Sequence, residues 1–96
     1  MTKYFDKRHA GDAAYMALTS AGVRELRRAA GADEVTKTAL AGQIGMSRQT
    51  LAGRFKTGDM KLSEFTAAAL ALNLKPSELL AAAENTIPAL AESEVE

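Results

Sequence analysis

Hydrophobic residues recur at helical spacing along most of the chain. Within residues 12–30, small and apolar positions form one stripe at this spacing, namely Tyr15, Leu18, Gly22, Leu26 and Ala29. The stripe predicts a first helix that buries this face, and Gly31 is placed to end it. An alternative stays open, because Ser20 could cap a shorter helix over 21–30 that follows a separate turn.

Four further short helices are predicted, over 37–44, 48–56, 63–73 and from Pro76 to about 83. Thr36, Ser47 and Ser63 can accept hydrogen bonds from the unpaired amides at helix starts, and Pro76 suits a first helical position. Gly45 can end the first of these helices, because glycine adopts a positive φ without strain. The residues expected to face inward are Leu40, Ala41, Ile44, Leu51, Phe55, Phe65, Ala68, Ala69, Leu72, Leu79 and Leu80.

Composition supports an all-α single domain. Among 96 residues there are 20 alanines and 11 leucines against five valines and isoleucines, a mixture that favours helix over sheet. Cysteine is absent, which excludes disulfides, thiolate zinc sites and cysteine nucleophiles. No apolar run approaches membrane-spanning length and no secretory signal is visible, so we expect a soluble cytoplasmic protein that does not bind membranes.

Charge divides the chain into two parts, although the net charge is zero. Residues 1–62 hold 11 Lys and Arg against six acids, and residues 63–96 hold one Lys against six Glu. A neutral protein with one basic region can still attract a polyanion to it. We therefore expect a basic N-terminal arm over 1–11, a folded domain over 12–84, and an acidic, disordered tail over 85–96.

The segment 37–57, KTALAGQIGMSRQTLAGRFKT, contains the most informative pattern. Gly45 ends one predicted helix, Met46 can fill the angle between two helices, and Ser47 can cap the next helix. Ala41 is small at a position where two crossing helices must approach closely. These features predict two short helices that cross steeply at a tight turn, as in a helix-turn-helix.

The chain here resembles the phage repressor and Cro (Xre-type) helix-turn-helix family. The resemblance covers about residues 20–84 and rests on Leu40-Ala41, Gly45-Met46-Ser47, Arg48-Gln49-Thr50-Leu51, Arg54-Phe55, and the ending Leu74, Pro76, Leu79 and Leu80. It departs from many relatives at Lys37-Thr38 and at Thr57-Gly58-Asp59. The resemblance implies a compact five-helix, lambda-repressor-like domain that regulates transcription in a bacterial or phage-infected bacterial cell, as a repressor of the Cro-like or small immunity type.

The resemblance also implies roles for individual residues, since helix 48–56 would enter the major groove of double-stranded DNA. Candidate base-reading residues are Arg48, Gln49, Thr50, Ala52 and Gly53. Candidate phosphate contacts are Lys37, Thr38, Ser47, Arg54, Lys56 and Lys61. A single motif reads only a few base pairs, so we also expect a homodimer on a two-fold site.

Two other function classes remain open from the residues alone. The domain could be an antitoxin-like protein-interaction module that keeps the helix pair only as a scaffold, or a nonspecific architectural DNA-binding protein. An enzyme is not expected, because no set of converging catalytic groups is visible. The single histidine, His9, has no second ligand nearby, and we predict neither a metal site nor a cofactor.

Overall fold

The computed structural model describes the backbone of residues 10–87 and the side chains of residues 14–87. Over this range it contains five α-helices and no strand: α1 (Ala10–Ala32), α2 (Lys37–Gln43), α3 (Arg48–Thr57), α4 (Leu62–Ala71) and α5 (Pro76–Glu84). The all-α, five-helix prediction is confirmed for the described part. Residues 1–9 of the predicted arm and 88–96 of the predicted tail lie outside it. No helix in the described range has the length and apolar character needed to cross a membrane.

The first helix is longer than predicted and ends differently. α1 is continuous through Ser20, so the shorter alternative over 21–30 is wrong. It also continues through Gly31, and Glu34 takes the left-handed conformation instead, with φ of 59°. The amide of Val35 donates to the carbonyl of Ala30 at 2.9 Å, which draws Val35 against the core. The left-handed residue that ends α1 is therefore Glu34, three residues after Gly31, and it is not a glycine.

The ends of the other helices follow local signals with small shifts. Thr36 and Ser47 cap α2 and α3 as predicted, and Pro76 opens α5. α4 begins one residue earlier than predicted, because Lys61 rather than Ser63 is its N-cap. The carboxylate of Glu64 accepts the Lys61 amide at 3.0 Å and so satisfies the helix start. Residues 85–87, assigned to the tail, continue α5 as turns, since their amides donate to carbonyls of that helix.

Small and branched aliphatic side chains dominate the core. Its buried residues are Ala21, Val23, Leu26, Ala30, Leu40, Ala41, Leu51, Phe55, Phe65, Ala68, Ala69, Leu72, Leu79 and Ala83. The prediction was wrong for Tyr15, which is 57% exposed. It also omitted Val23, which is buried in the same core. Ile44 and Leu80 are only half-buried against the core. All five helices thus contribute to one core, and α3 is held on it by Leu51 and Phe55.

Candidate nucleic-acid interface

A tight turn, Ile44–Ser47, joins α2 to α3. Gly45 has a φ of 72°, and the amide of Met46 donates to the carbonyl of Ala41 at 2.9 Å. This pattern closes α2 abruptly. Met46 packs against the core, and the hydroxyl of Ser47 accepts the amide of Thr50 at 3.0 Å. Only four residues therefore separate the end of α2 from the start of α3.

The first turn of α3 presents its side chains to solvent. Arg48, Gln49 and Thr50 are all exposed, whereas Leu51 is fully buried and Phe55 is 8% exposed. Helical periodicity puts Gln49 opposite the buried pair. Arg48 lies three residues before Leu51 and is exposed as the first residue of the helix. Among the residues predicted to read bases, Arg48 and Gln49 thus have long, exposed polar side chains that can reach a ligand.

The remaining predicted base-reading residues differ from these two. The hydroxyl of Thr50 accepts a hydrogen bond from the hydroxyl of Ser47 at 2.8 Å, so both side chains already serve the start of α3. Ala52 and Gly53 are half-buried. A Cβ added at Gly53 would meet no atom within 4 Å, which means that the helix surface there is open. These short residues allow a ligand to approach the helix backbone closely.

Arg54, a predicted phosphate contact, has a partner inside the protein. Its guanidinium donates to both carboxylate oxygens of Glu64, with Nε to Oε1 at 2.9 Å and Nη2 to Oε2 at 3.3 Å. The hydrogen bond to Glu64 raises the pKa of Arg54. The pKa of Glu64 is lowered, first by this hydrogen bond and then by the backbone amide of Lys61. The pair ties the last part of α3 to the start of α4.

A second link at this end of α3 was not predicted from the sequence. The hydroxyl of Ser20 on α1 donates to the carbonyl of Gly58 at 3.2 Å. Gly58 has a φ of 74° and packs so closely that an added Cβ would lie 2.9 Å from the Ser20 oxygen. Serine is common in helices, and 38 positions separate the partners, so no local signal could identify the contact.

The other predicted phosphate contacts lie at the surface around α2 and α3. Lys37 and Lys56 line the same shallow depression, together with Ala52. Thr38 is exposed on the first turn of α2, and Lys61 is exposed at the start of α4. The ion pairs found between described residues involve neither Lys37, Lys56 nor Lys61. These cations can therefore meet an external anion.

Within the described range, no group of three or more His, Cys, Asp or Glu side chains is arranged to hold a metal ion. Comparisons of the chain with protein-family models, with curated proteins and with solved structures gave no match.

Proposed function

We propose that this chain is a helix-turn-helix protein that binds duplex DNA at specific sequences and regulates transcription. In this proposal α2 and α3 are the helix-turn-helix, and the five helices form a lambda-repressor-like domain of the phage repressor and Cro (Xre-type) family. One observation carries the proposal. The first turn of α3 directly follows a tight turn and exposes the long polar side chains of Arg48 and Gln49, while Leu51 and Phe55 hold the helix on the core.

The proposed mechanism places this first turn in the major groove, which is wide enough for an α-helix. Arg48 can donate two hydrogen bonds to guanine, and Gln49 can pair with the edge of adenine. Each such pair contributes about 1–3 kcal/mol of discrimination between bases. Ala52 and Gly53 allow close approach, and the methyl group of Ala52 can contact a thymine methyl. Regulation then follows from occupancy, because a protein seated on a promoter blocks polymerase.

Cations around the helix pair supply contacts to the DNA backbone in this mechanism. Lys37, Lys56 and Lys61 would meet phosphates and set the orientation of α3 without specifying sequence. A homodimer would place two copies of α3 about 34 Å apart, or a multiple of that spacing, on a two-fold site. With about three phosphates neutralised by each protomer, the logarithm of affinity should fall with the logarithm of salt concentration with a slope of roughly −5.

The first test is a selection of random duplexes by the purified protein at physiological salt, followed by sequencing. An enriched two-fold motif is the expected result, and its spacing would give the dimer geometry. A single short motif would support sequence recognition and overturn the dimer. Retained DNA without enrichment would indicate an architectural protein, and a failure to retain DNA would overturn the proposal.

Two double variants test whether α3 is responsible for binding the selected site. Arg48→Ala with Gln49→Ala should reduce affinity for the selected site by about 2–6 kcal/mol if the two contributions add. The matched control is Arg24→Ala with Gln43→Ala, which removes the same residue types from exposed positions on α1 and α2. The control should bind like the original protein. Both double variants should unfold at the original temperature, because all four side chains are exposed.

A second candidate function, a helical protein-interaction module, is favoured by one observation. Leu62 and Leu70 are 70% and 64% exposed on α4, and they lie on the same side of that helix. If the protein retained no DNA, Leu62→Ser with Leu70→Ser would be compared with the original protein for self-association by analytical ultracentrifugation. A drop in association would support this candidate, and unchanged association would oppose it.

A further inference from the structure

Three cationic side chains from three helices meet around one surface depression. Arg27 of α1, Lys37 of α2 and Lys56 of α3 line this depression of about 320 Å³, together with Ala52 and Phe55. A second depression, of about 250 Å³, adjoins it towards the segment between α1 and α2 and shares Arg27, Lys37 and Phe55. We call Arg27, Lys37 and Lys56 the basic triad.

The electrostatic environment of the basic triad favours an anion. No acidic residue lines either depression. In the described part of the chain, the ion pairs engage other arginines, with Arg28 bonded to Glu25 and Arg54 to Glu64. The three like charges repel one another, and a bound anion offsets that repulsion because it attracts each of them. A phosphate suits this arrangement, since the guanidinium of an arginine matches its oxygens with two parallel donors.

The position of the basic triad on α3 relates it to the proposed DNA-binding surface. Arg48, Ala52 and Lys56 follow one another at four-residue intervals, so they share one side of α3. Eight residues of α-helix span about 12 Å along the axis. The major groove of B-DNA is also about 12 Å wide. With Arg48 against the bases, the depression therefore falls at the edge of the groove, where the phosphate backbone runs.

We infer that the basic triad is a binding site for a backbone phosphate of duplex DNA, with Arg27 as the member that α1 supplies. This inference rests on the proposed function and deepens it, because it adds a third helix to the DNA-binding surface. A phosphate held by α1, α2 and α3 together adds affinity on any sequence. Arg27 thus acts on affinity, and base identity is left to Arg48 and Gln49.

The test measures how salt affects the affinity of Arg27→Gln for DNA. The protein is titrated at several salt concentrations with a duplex that carries the selected site and with a scrambled duplex of the same length. One lost phosphate contact should reduce the steepness of the log–log salt slope by about 0.9 per bound protomer. The affinity for both duplexes should fall by a similar factor, because phosphates carry no sequence information.

The matched control is Arg24→Gln, since Arg24 is exposed on the same helix and does not line the depression. It should leave the salt slope unchanged. Equal slope changes in the two variants would overturn the inference, as would an altered preference between the duplexes in Arg27→Gln. If the original protein bound both duplexes equally, the proposal of sequence-specific binding would be overturned. A smaller salt slope in Arg27→Gln would still support the phosphate site in that case. If it bound neither duplex at low salt, both proposals would be overturned.

Discussion

The two ends of α3 are built differently. At the first turn, Arg48 and Gln49 are exposed, and the hydrogen bonds there are local ones between Ser47 and Thr50. At the last turn, Arg54 is bonded to Glu64 of α4, and the Gly58 carbonyl accepts a hydrogen bond from Ser20 of α1. One end of the helix is anchored to two other helices, and the other end has exposed side chains and local hydrogen bonds.

The two arginines of α3 show what this difference means. Arg48 and Arg54 are the same residue type, six positions apart, and the sequence pattern assigned both to DNA. In the structure, Arg54 completes a two-point ion pair with a carboxylate that is 15% exposed. An arginine whose donors are satisfied inside the protein has fewer to offer a ligand. The two residues differ because Arg54 lies beside the carboxylate of Glu64, whereas Arg48 is exposed.

The largest effect should come from removing each arginine in turn. Arg48→Ala should weaken binding to the selected duplex by about 1–3 kcal/mol and leave the unfolding temperature unchanged. Arg54→Met combined with Glu64→Gln removes the ion pair without changing net charge, and keeps an oxygen that can accept the Lys61 amide. This double variant should lower the unfolding temperature and leave the selected motif unchanged. The measurements are duplex titration and thermal unfolding of both proteins.

The contrast between the two ends of α3 would be contradicted if the double variant changed the selected motif as strongly as Arg48→Ala does. In that case Arg54 would contact DNA despite its partner, and the anchored end would belong to the base-reading surface. A loss of stability in Arg48→Ala would be equally damaging, since it would show that the exposed end supports the fold.

A smaller effect is expected at the anchored end from Gly58→Ala. A non-glycine residue in the left-handed region costs about 1–2 kcal/mol, and the new Cβ would lie 2.9 Å from the Ser20 oxygen. We therefore expect destabilisation of at least this size in urea unfolding. Gly53→Ala is the matched control, because its φ is not positive and its Cβ would meet open space. It should instead stabilise α3 by about 0.5–1 kcal/mol. Equal effects of the two substitutions would contradict the described contact.

Much of the fold follows from local signals in the sequence. Thr36 and Ser47 cap helices because their side chains reach amides three residues ahead. Pro76 starts a helix because the fixed φ and the missing amide hydrogen of proline suit a first helical position. Leu51 and Phe55 are buried because their spacing matches one turn of helix. The same periodicity accounts for the exposure of Gln49, whereas Arg48 is exposed at the first position of the helix. DNA binding itself stays a prediction that the experiments above address.

The local pattern could not show contacts between residues that lie on different helices. Tyr15 is exposed although Gly22 and Leu26 of the same stripe are buried, so the spacing did not show how far along α1 the core extends. The Ser20–Gly58 hydrogen bond and the Arg54–Glu64 pair depend on how α1, α3 and α4 come together. Spacing within one element contains no information about these partners. The Arg54–Glu64 pair is therefore a contact that a local pattern could not identify.

The smallest predicted effect is a pH dependence at the anchored end. Because hydrogen bonds from Arg54 and from the Lys61 amide lower the pKa of Glu64 below its ordinary value of 4.5, the ionised carboxylate favours the folded state. This contribution to stability is complete above the unfolded-state pKa and is lost as the pH falls through the lower, folded-state pKa.

The variant Glu64→Gln tests this dependence because it lacks the titrating group. Its deficit in unfolding temperature should thus be constant near neutral pH and should shrink below about pH 4.5. Added salt should shrink the deficit at neutral pH too, since the pair is partly exposed. A deficit that stayed the same from neutral to acidic pH would show that Glu64 acts through packing or capping alone, and the distinction between the two arginines of α3 would lose its electrostatic basis.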